Sequence, residues 1–390
     1  MSFIKNLTFE VSSKITSQII IVISSIFMTR FLTPSDYAEF GMMMVAVNIL
    51  QVFQDFSIDE AIVQNNRLND KQLSKAFWIV LVLGVICFIL FNLIYPIFHL
   101  FEIIPFPYYP SILLSIFYLF DGISNMMIGK AQIDLNFKLI AQAQIYSVII
   151  SSIIGLTLAY CGWGVYALVI NFISRYTIQS SIIFFLQQWK PSIELEDIGV
   201  LKNFAIQRTF SRGINKIFDQ LDILVISSLS SAIVVGGYIK AKSIQQQLVM
   251  MIQQITKNLF FSYFSKKSEH DLFKKSILMI GVMTLSISII FYFTAELLFI
   301  TFFGEIWRES GQLFSILSFL IFTQSIYIFS EIYLNAKGQI TFTLKVNIIG
   351  KVLLLCCFGL FYFYGLMIFI LGVVGVSLIL GGVMLLKSLK

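Results

Sequence analysis

Runs of Ile, Leu, Phe and Val, each about 20 residues long and closed by a short polar break, recur from one end of this sequence to the other. A helix of that length crosses about 30 Å, the thickness of a bilayer's hydrocarbon core. The pattern predicts twelve spans, at about 11–31, 38–62, 76–99, 109–129, 139–160, 164–187, 201–229, 232–256, 275–301, 310–333, 344–364 and 366–386. The alternating segments of about ten residues that mark a membrane barrel are missing, so the backbone must satisfy its hydrogen bonds within helices. The fold class is an all-α polytopic membrane protein. The first run follows a single lysine, Lys5, and continues past Arg30 without a small-residue cleavage site, which reads as a retained helix.

Basic residues in the breaks set the orientation. One set of connections holds Lys5, Arg67, Lys71, Lys75, Lys130, Lys138, Lys190, Lys202, Lys257, Lys266, Lys267, Lys274, Lys275, Lys337, Lys345, Lys387 and Lys390; the opposite set holds only Arg30 and Arg308. Both termini are therefore expected in the cytoplasm, which agrees with an even number of spans. The segment near 260–275 is amphipathic and basic, as suits a stretch lying along the cytoplasmic headgroups.

Composition adds the solvent. Of 390 residues 58% are hydrophobic and 12% charged, and the mean hydropathy is +0.87, outside the range of a water-soluble domain. The net charge of +6 is accounted for by cytoplasmic loops facing anionic lipid, and the short loops leave no room for a nucleic-acid-binding module. Cys87, Cys161, Cys356 and Cys357 lie in or beside apolar spans, and His99 and His270 stand apart, so no disulfide framework, metal site or cofactor is expected.

Two internal similarities bear on organisation. RFLTPSDYAEFG, joining spans one and two, resembles SSLSSAIVVGGYIK, joining spans seven and eight; LNFKLIAQAQIYS after span four resembles ITFTLKVNIIGK after span ten. Each pair is six spans apart, which suggests two six-helix bundles, 1–188 and 189–390, around a central cavity.

Polar residues inside spans are costly in hydrocarbon and mark faces turned toward protein or water. Span seven carries Arg208, Arg212, Asn215, Lys216, Asp219 and Asp222 on one face, with Ile206, Phe210, Ile214, Ile217, Leu221 and Leu224 opposite. Span two carries Asn48, Gln51, Asp55 and Asp59; span one Lys14, Ser17, Gln18 and Ser25; span six Asn171, Arg175 and Gln179; span eight Lys240 and Lys242 followed by five glutamines. Spans three, nine, eleven and twelve are almost purely apolar and read as lipid-facing. Spans one, two, seven and eight would then enclose a polar cavity with a cationic wall, suited to an anionic cargo. Arg and Lys would hold a pyrophosphate while Gln and Asn hydrogen-bond sugar hydroxyls. The structural alternative is that Arg208, Arg212 and Lys216 pair with Asp55, Asp59, Asp219 or Asp222 to lock the bundle. Arg30 and Lys14, near span ends, are equally readable as snorkelling anchors.

The run TRFLTPSDYAEFGMMMVAVNILQVFQDFSIDEAIVQNNRLNDKQLSKAFW resembles the opening of the Wzx-type polysaccharide-export flippases of the multidrug and oligosaccharidyl-lipid export superfamily, and the similarity continues through LNFKLIAQ and FDQLDILVISSLSSAIVVGGYIKAKSI. The resemblance implies two six-helix bundles, alternating access, residence in a bacterial inner membrane, and an undecaprenyl-pyrophosphate-linked oligosaccharide as cargo. Membrane lipids and other polysaccharide-assembly proteins are the implied partners. It also implies Arg212, Lys216 and Asp222 as cavity residues. Ser57 and Ala38 stand where such proteins usually carry glycine, and two C-terminal helices common among them are not present in this sequence. Two other functions fit the residues. A proton- or sodium-coupled multidrug or metabolite antiporter would use Asp55 or Asp222. A membrane prenyltransferase would place magnesium on the carboxylates of DFSID and DQLD, although in the latter three cations precede them on the same face. No phosphate-binding loop or nucleophile–base pair occurs, so an enzyme is not expected.

Overall fold

The computed structural model describes residues 3–55, 62, 68–100, 108–194, 196–266 and 270–389. Among these there is no strand, and helix appears at each of the twelve expected places. In chain order the helices are α1 Phe3–Thr29, α2 Pro34–Asp55, α3 Asp70–Leu100, α4 Tyr108–Ser115, α5 Phe117–Ile133, α6 Phe137–Tyr160, α7 Val165–Leu186, α8 Gly199–Leu229, α9 Ala232–Lys266, α10 His270–Phe303, α11 Arg308–Leu317, α12 Phe319–Ala336, α13 Ile340–Tyr364 and α14 Leu366–Ser388. The fourth and tenth spans are each broken once, into α4 and α5 and into α11 and α12.

Among the described residues nine stretches are long and apolar enough to cross a membrane. The helices α2, α8 and α9 are not among them, because amides and charges interrupt their apolar runs. Polar helices of this kind need protein or water beside them. The chain is a multi-pass membrane protein. The apolar stretches themselves differ in burial: 56% and 61% of the windows covering α4–α5 and α11–α12 are buried, against 28% for α3 and 22% for α10, α13 and α14. The first two are therefore central to their bundles. The other four present bare Leu, Ile, Val and Phe outward, such as Val82, Leu93, Phe293, Ile348 and Ile379, as their near-pure apolar sequence requires.

The described residues form two compact units, Met1–Leu224 and Val225–Lys390. The expected halves, 1–188 and 189–390, follow chain symmetry, whereas this division follows contact: most of α8 groups with the first unit. In that unit α6 packs on α1 and α7, and α5 lies against α3 and α7. Its core holds Met43, Val47, Phe91, Leu114, Phe117 and Tyr118, with a second cluster around Phe77, Met126, Met127 and Ile183. In the second unit α12 lies between α9, α10 and α14, over a cluster of Phe273, Ile277, Phe329 and Tyr333 in which the Phe273 and Tyr333 rings stack at 4.2 Å.

Local chemistry explains the helix boundaries. At the start of α2, Asp36 accepts from the Thr33 N–H and hydroxyl at 2.8 Å each, while the Asp36 N–H donates back to Thr33 Oγ1 at 3.3 Å; Pro34 fills the first helical position. Asn69 and Gln72 make the same reciprocal cap before α3. The segment 187–198, between α7 and α8, is tied to the start of α3. Lys71 meets Glu194 at 2.7 Å and Lys75 meets Asp197 at 3.0 Å, and the Trp78 indole donates to the Ser192 carbonyl at 2.9 Å.

The turns after α5 and after α12 share a hydrogen-bond pattern. After α5, Asp134, Leu135 and Asn136 donate to Lys130, Gln132 and Ala131; after α12, Lys337, Gly338 and Gln339 donate to Tyr333, Asn335 and Leu334. The fifth residue of each turn, Leu135 (φ 55°) or Gly338 (φ 77°), is left-handed, as this helix ending demands.

Candidate functional site

The interior of the first unit contains a chain of polar side chains running α5, α2, α8. Asp121, 1% exposed on α5, accepts from Gln51 Nε2 at 2.9 Å. The Gln51 oxygen accepts from Lys216 Nζ at 2.5 Å, and one turn away Asn48 Nδ2 donates to Gln220 Oε1 at 3.4 Å. The pairs 48–220 and 51–216 run in opposite senses along the two helices, so α2 and α8 are antiparallel neighbours. A third point confirms it: a Cβ on Gly213 would sit 2.7 Å from Val52 Cγ1. Glycine there lets the helices approach until a lysine on one can reach an amide on the other.

The α2–α5 joint is equally specific. Gln54, fully buried, donates to the Tyr118 carbonyl at 2.6 Å, and the Tyr118 hydroxyl donates to the Val47 carbonyl at 3.0 Å. Space for the Gln54 amide comes from two glycines, Gly84 on α3 and Gly122 on α5, at which a Cβ would lie 3.2 and 3.1 Å from Gln54 Nε2.

Of the residues expected to line a cavity, Lys216 lies in this polar chain. Asp219 is exposed and Asp222 half-buried farther along α8, the latter accepting from the Ile223 N–H at 2.8 Å. Lys14 on α1 and Arg175 on α7 are half-buried in the same unit, and Arg30 is exposed just past the end of α1. Asn171, in the span-six stripe, is an interhelical contact: it donates to the Ser151 carbonyl at 2.9 Å and fills the space over Gly155. Asp59 and the side chains of Asp55, Arg208 and Arg212 lie outside the described residues.

In the second unit Lys240 is 2% exposed, its ammonium 5.0 Å from the centre of the Phe303 ring, and Lys242 is half-buried. Burial sets Lys240 inside its own bundle. Gln245 is buried and donates to Gln324 Oε1 at 3.0 Å, joining α9 to α12 as Gln51 joins α2 to α5. Among the described residues no group of three or more His, Cys, Asp or Glu is arranged to hold a metal ion.

Asp121 was not singled out from sequence. Its signal was present, since a carboxylate in the apolar run YLFDGISN breaks the same rule that exposed the span-seven stripe. A lone charge without a stripe draws less notice.

Three comparisons place this geometry among known proteins. Residues 27–312 match a family described as polysaccharide biosynthesis protein. The teichuronic acid biosynthesis protein TuaB of Bacillus subtilis (strain 168) is 23% identical over 284 residues, covering 69% of this chain; the chain thus spans a little over half, 57%, of that relative's length. An inward-facing multidrug resistance MATE transporter of the MOP superfamily superposes with a TM-score of 0.72 at 13% identity, covering 95% of this chain and 93% of the other. The lipid II flippase MurJ, in an inward closed conformation, superposes at 0.66 with 15% identity over 97% and 86% of the two chains. At these identities the superpositions show the fold: two helical bundles of the MOP type.

Proposed function

Because the chain belongs to the polysaccharide biosynthesis protein family, we propose that it is a flippase that moves an undecaprenyl-pyrophosphate-linked oligosaccharide from the inner to the outer leaflet of a bacterial inner membrane by alternating access. Both termini are placed in the cytoplasm on this reading, and the chain is a transporter with no catalytic residues. The two halves of the repeat are 1–188 and 189–390.

The observation that carries the proposal is Lys216, an intramembrane cation held by Gln51 beside the amides of Asn48 and Gln220. A phosphate oxygen about 4 Å from an ammonium gains about 4 kcal/mol at an effective dielectric of about 20, enough to compete with partial desolvation of both groups. Arg208, Arg212 and Arg175 supply the remaining positive charge, and Asp219, Asp222, Asp55 and Asp59 balance it between transport events. Lys14, Arg30, Lys240 and Lys242 complete the candidate set. Neighbouring amides offer both donors and acceptors to sugar hydroxyls. The prenyl tail stays in lipid throughout. Membrane lipids and polysaccharide-assembly proteins are its partners.

The test is translocation of a fluorescent polyprenyl-pyrophosphate oligosaccharide in proteoliposomes, scored by exposure to an impermeant quencher. Wild type should flip the probe faster than empty liposomes, and Lys216→Met should slow flipping by about tenfold, the worth of one charge-assisted contact. Wild-type vesicles that match empty ones, with and without an imposed proton or sodium gradient, would refute the cargo. The buried carboxylate Asp121 would then favour the cation-coupled antiporter.

A further inference from the structure

We propose that Asp121 is a positioning residue for Lys216, acting through Gln51: the carboxylate fixes which way the Gln51 amide points, and the amide fixes the ammonium. The inference rests on the reading of Lys216 as a headgroup contact.

An ionised carboxylate only accepts hydrogen bonds and an ammonium only donates them. Between the two, an amide has one workable orientation, its NH2 toward Asp121 and its oxygen toward Lys216, which is the arrangement observed at 2.9 and 2.5 Å. The reverse orientation would set donor against donor and acceptor against acceptor. One end of the amide therefore dictates the other. The rest of the joint cannot rotate to compensate, since Gln54, Tyr118 and the two glycines lock α2 against α5.

The second unit shows what the joint needs for packing alone. There the corresponding α9–α12 contact is Gln245 to Gln324, two neutral amides at 3.0 Å. Burying a carboxylate costs several kcal/mol more than burying an amide unless its charge is used. The chain of donors leads from Asp121 through Gln51 to Lys216.

The experiment is a double-mutant cycle between Asp121→Asn and Lys216→Met, run with Gln51 intact and again in the Gln51→Leu background. Asparagine keeps an acceptor of the same size but also carries an NH2, so it no longer dictates the amide's orientation. Flipping of the probe lipid should fall about tenfold in either single variant, by the loss of one charge-assisted link. The double variant should be no slower than either single variant. In the Gln51→Leu background Asp121→Asn should change the rate less than about twofold. Losses that multiply to about a hundredfold in the double variant, or an Asp121→Asn protein that flips at the wild-type rate, would overturn the proposal.

Equilibrium unfolding of the same eight proteins in detergent separates this from the function. If wild type flips no probe, the cargo reading fails, yet the cycle still decides: coupling between 121 and 216 that disappears with Gln51→Leu upholds the relay, and additive effects in both backgrounds overturn it. Should Asp121→Asn not accumulate folded protein, Asp121→Gln, which recreates the amide pair of the second unit, takes its place.

Discussion

Replacing Gly84 with alanine pits a local preference against a tertiary contact. In a helix interior alanine is favoured over glycine by about 1 kcal/mol, so on propensity alone Gly84→Ala should stabilise the protein. The tertiary structure opposes it. A Cβ at position 84 would lie 2.6 Å from the Tyr118 carbonyl oxygen and 3.2 Å from Gln54 Nε2. The first neighbour is backbone in the first turn of α5, so α3 and α5 must separate. Overpacking of this kind costs about 1–3 kcal/mol. The Gln54 amide, which donates to that same oxygen at 2.6 Å, would lose a buried hydrogen bond worth about 1 kcal/mol more. The balance is a net destabilisation of about 1–3 kcal/mol. Gly375→Ala and Gly382→Ala are the controls, because a Cβ at either meets nothing within 4 Å. They should be neutral or stabilising by up to about 1 kcal/mol. The assay is equilibrium unfolding in mixed micelles. A Gly84→Ala protein as stable as these controls would refute the close α3–α5 approach, and with it the cradle that holds Gln54.

Tyr118→Phe removes the donor to the Val47 carbonyl without opening a large cavity and should lower stability by about 0.5–1.5 kcal/mol in the same titration; no change would mean that the α2–α5 joint does not depend on it. The clasp between segment 187–198 and α3 should respond to pH. The Lys71 ammonium beside Glu194 holds that carboxyl below its ordinary value, so its contribution is present above the unfolded carboxylate pKa and is lost as pH falls through the folded one. A spin label at Ile193, 90% exposed, in a background without the exposed thiols Cys161 and Cys356, should gain mobility below about pH 4 and in molar salt. Mobility independent of both would show the segment to be held instead by the Trp78 indole and by Ser74 Oγ, which accepts from the Ser192 N–H at 2.9 Å.

The sequence predicted where helices occur along the chain, since that follows from how many consecutive side chains hydrocarbon tolerates, but not their lengths: α9 runs on to Lys266, and the fourth and tenth spans are broken. The start of α2 lies at Pro34, ahead of the expected 38, where Thr33 and Asp36 make a cap within one turn. The cationic character of span seven was also legible, as periodicity places charges on one helical face. The partner of each charge was not. Asn171 and Lys240 carry the same sequence signal as Lys216, a polar side chain in an apolar run, yet one joins α6 to α7 and one lies beneath Phe303 inside the second bundle.

Hydropathy is a sum over neighbours in the chain and determined by itself that this is a many-helix membrane protein with a few polar helices. Which polar residue meets which is set by contacts between residues 70 and 165 positions apart, as in Gln51 with Asp121 and Lys216. Only the tertiary structure decided those. Interhelical approach depends on where glycines such as Gly84, Gly122 and Gly213 let backbones close in, and no local periodicity carries the position of a helix relative to its neighbour.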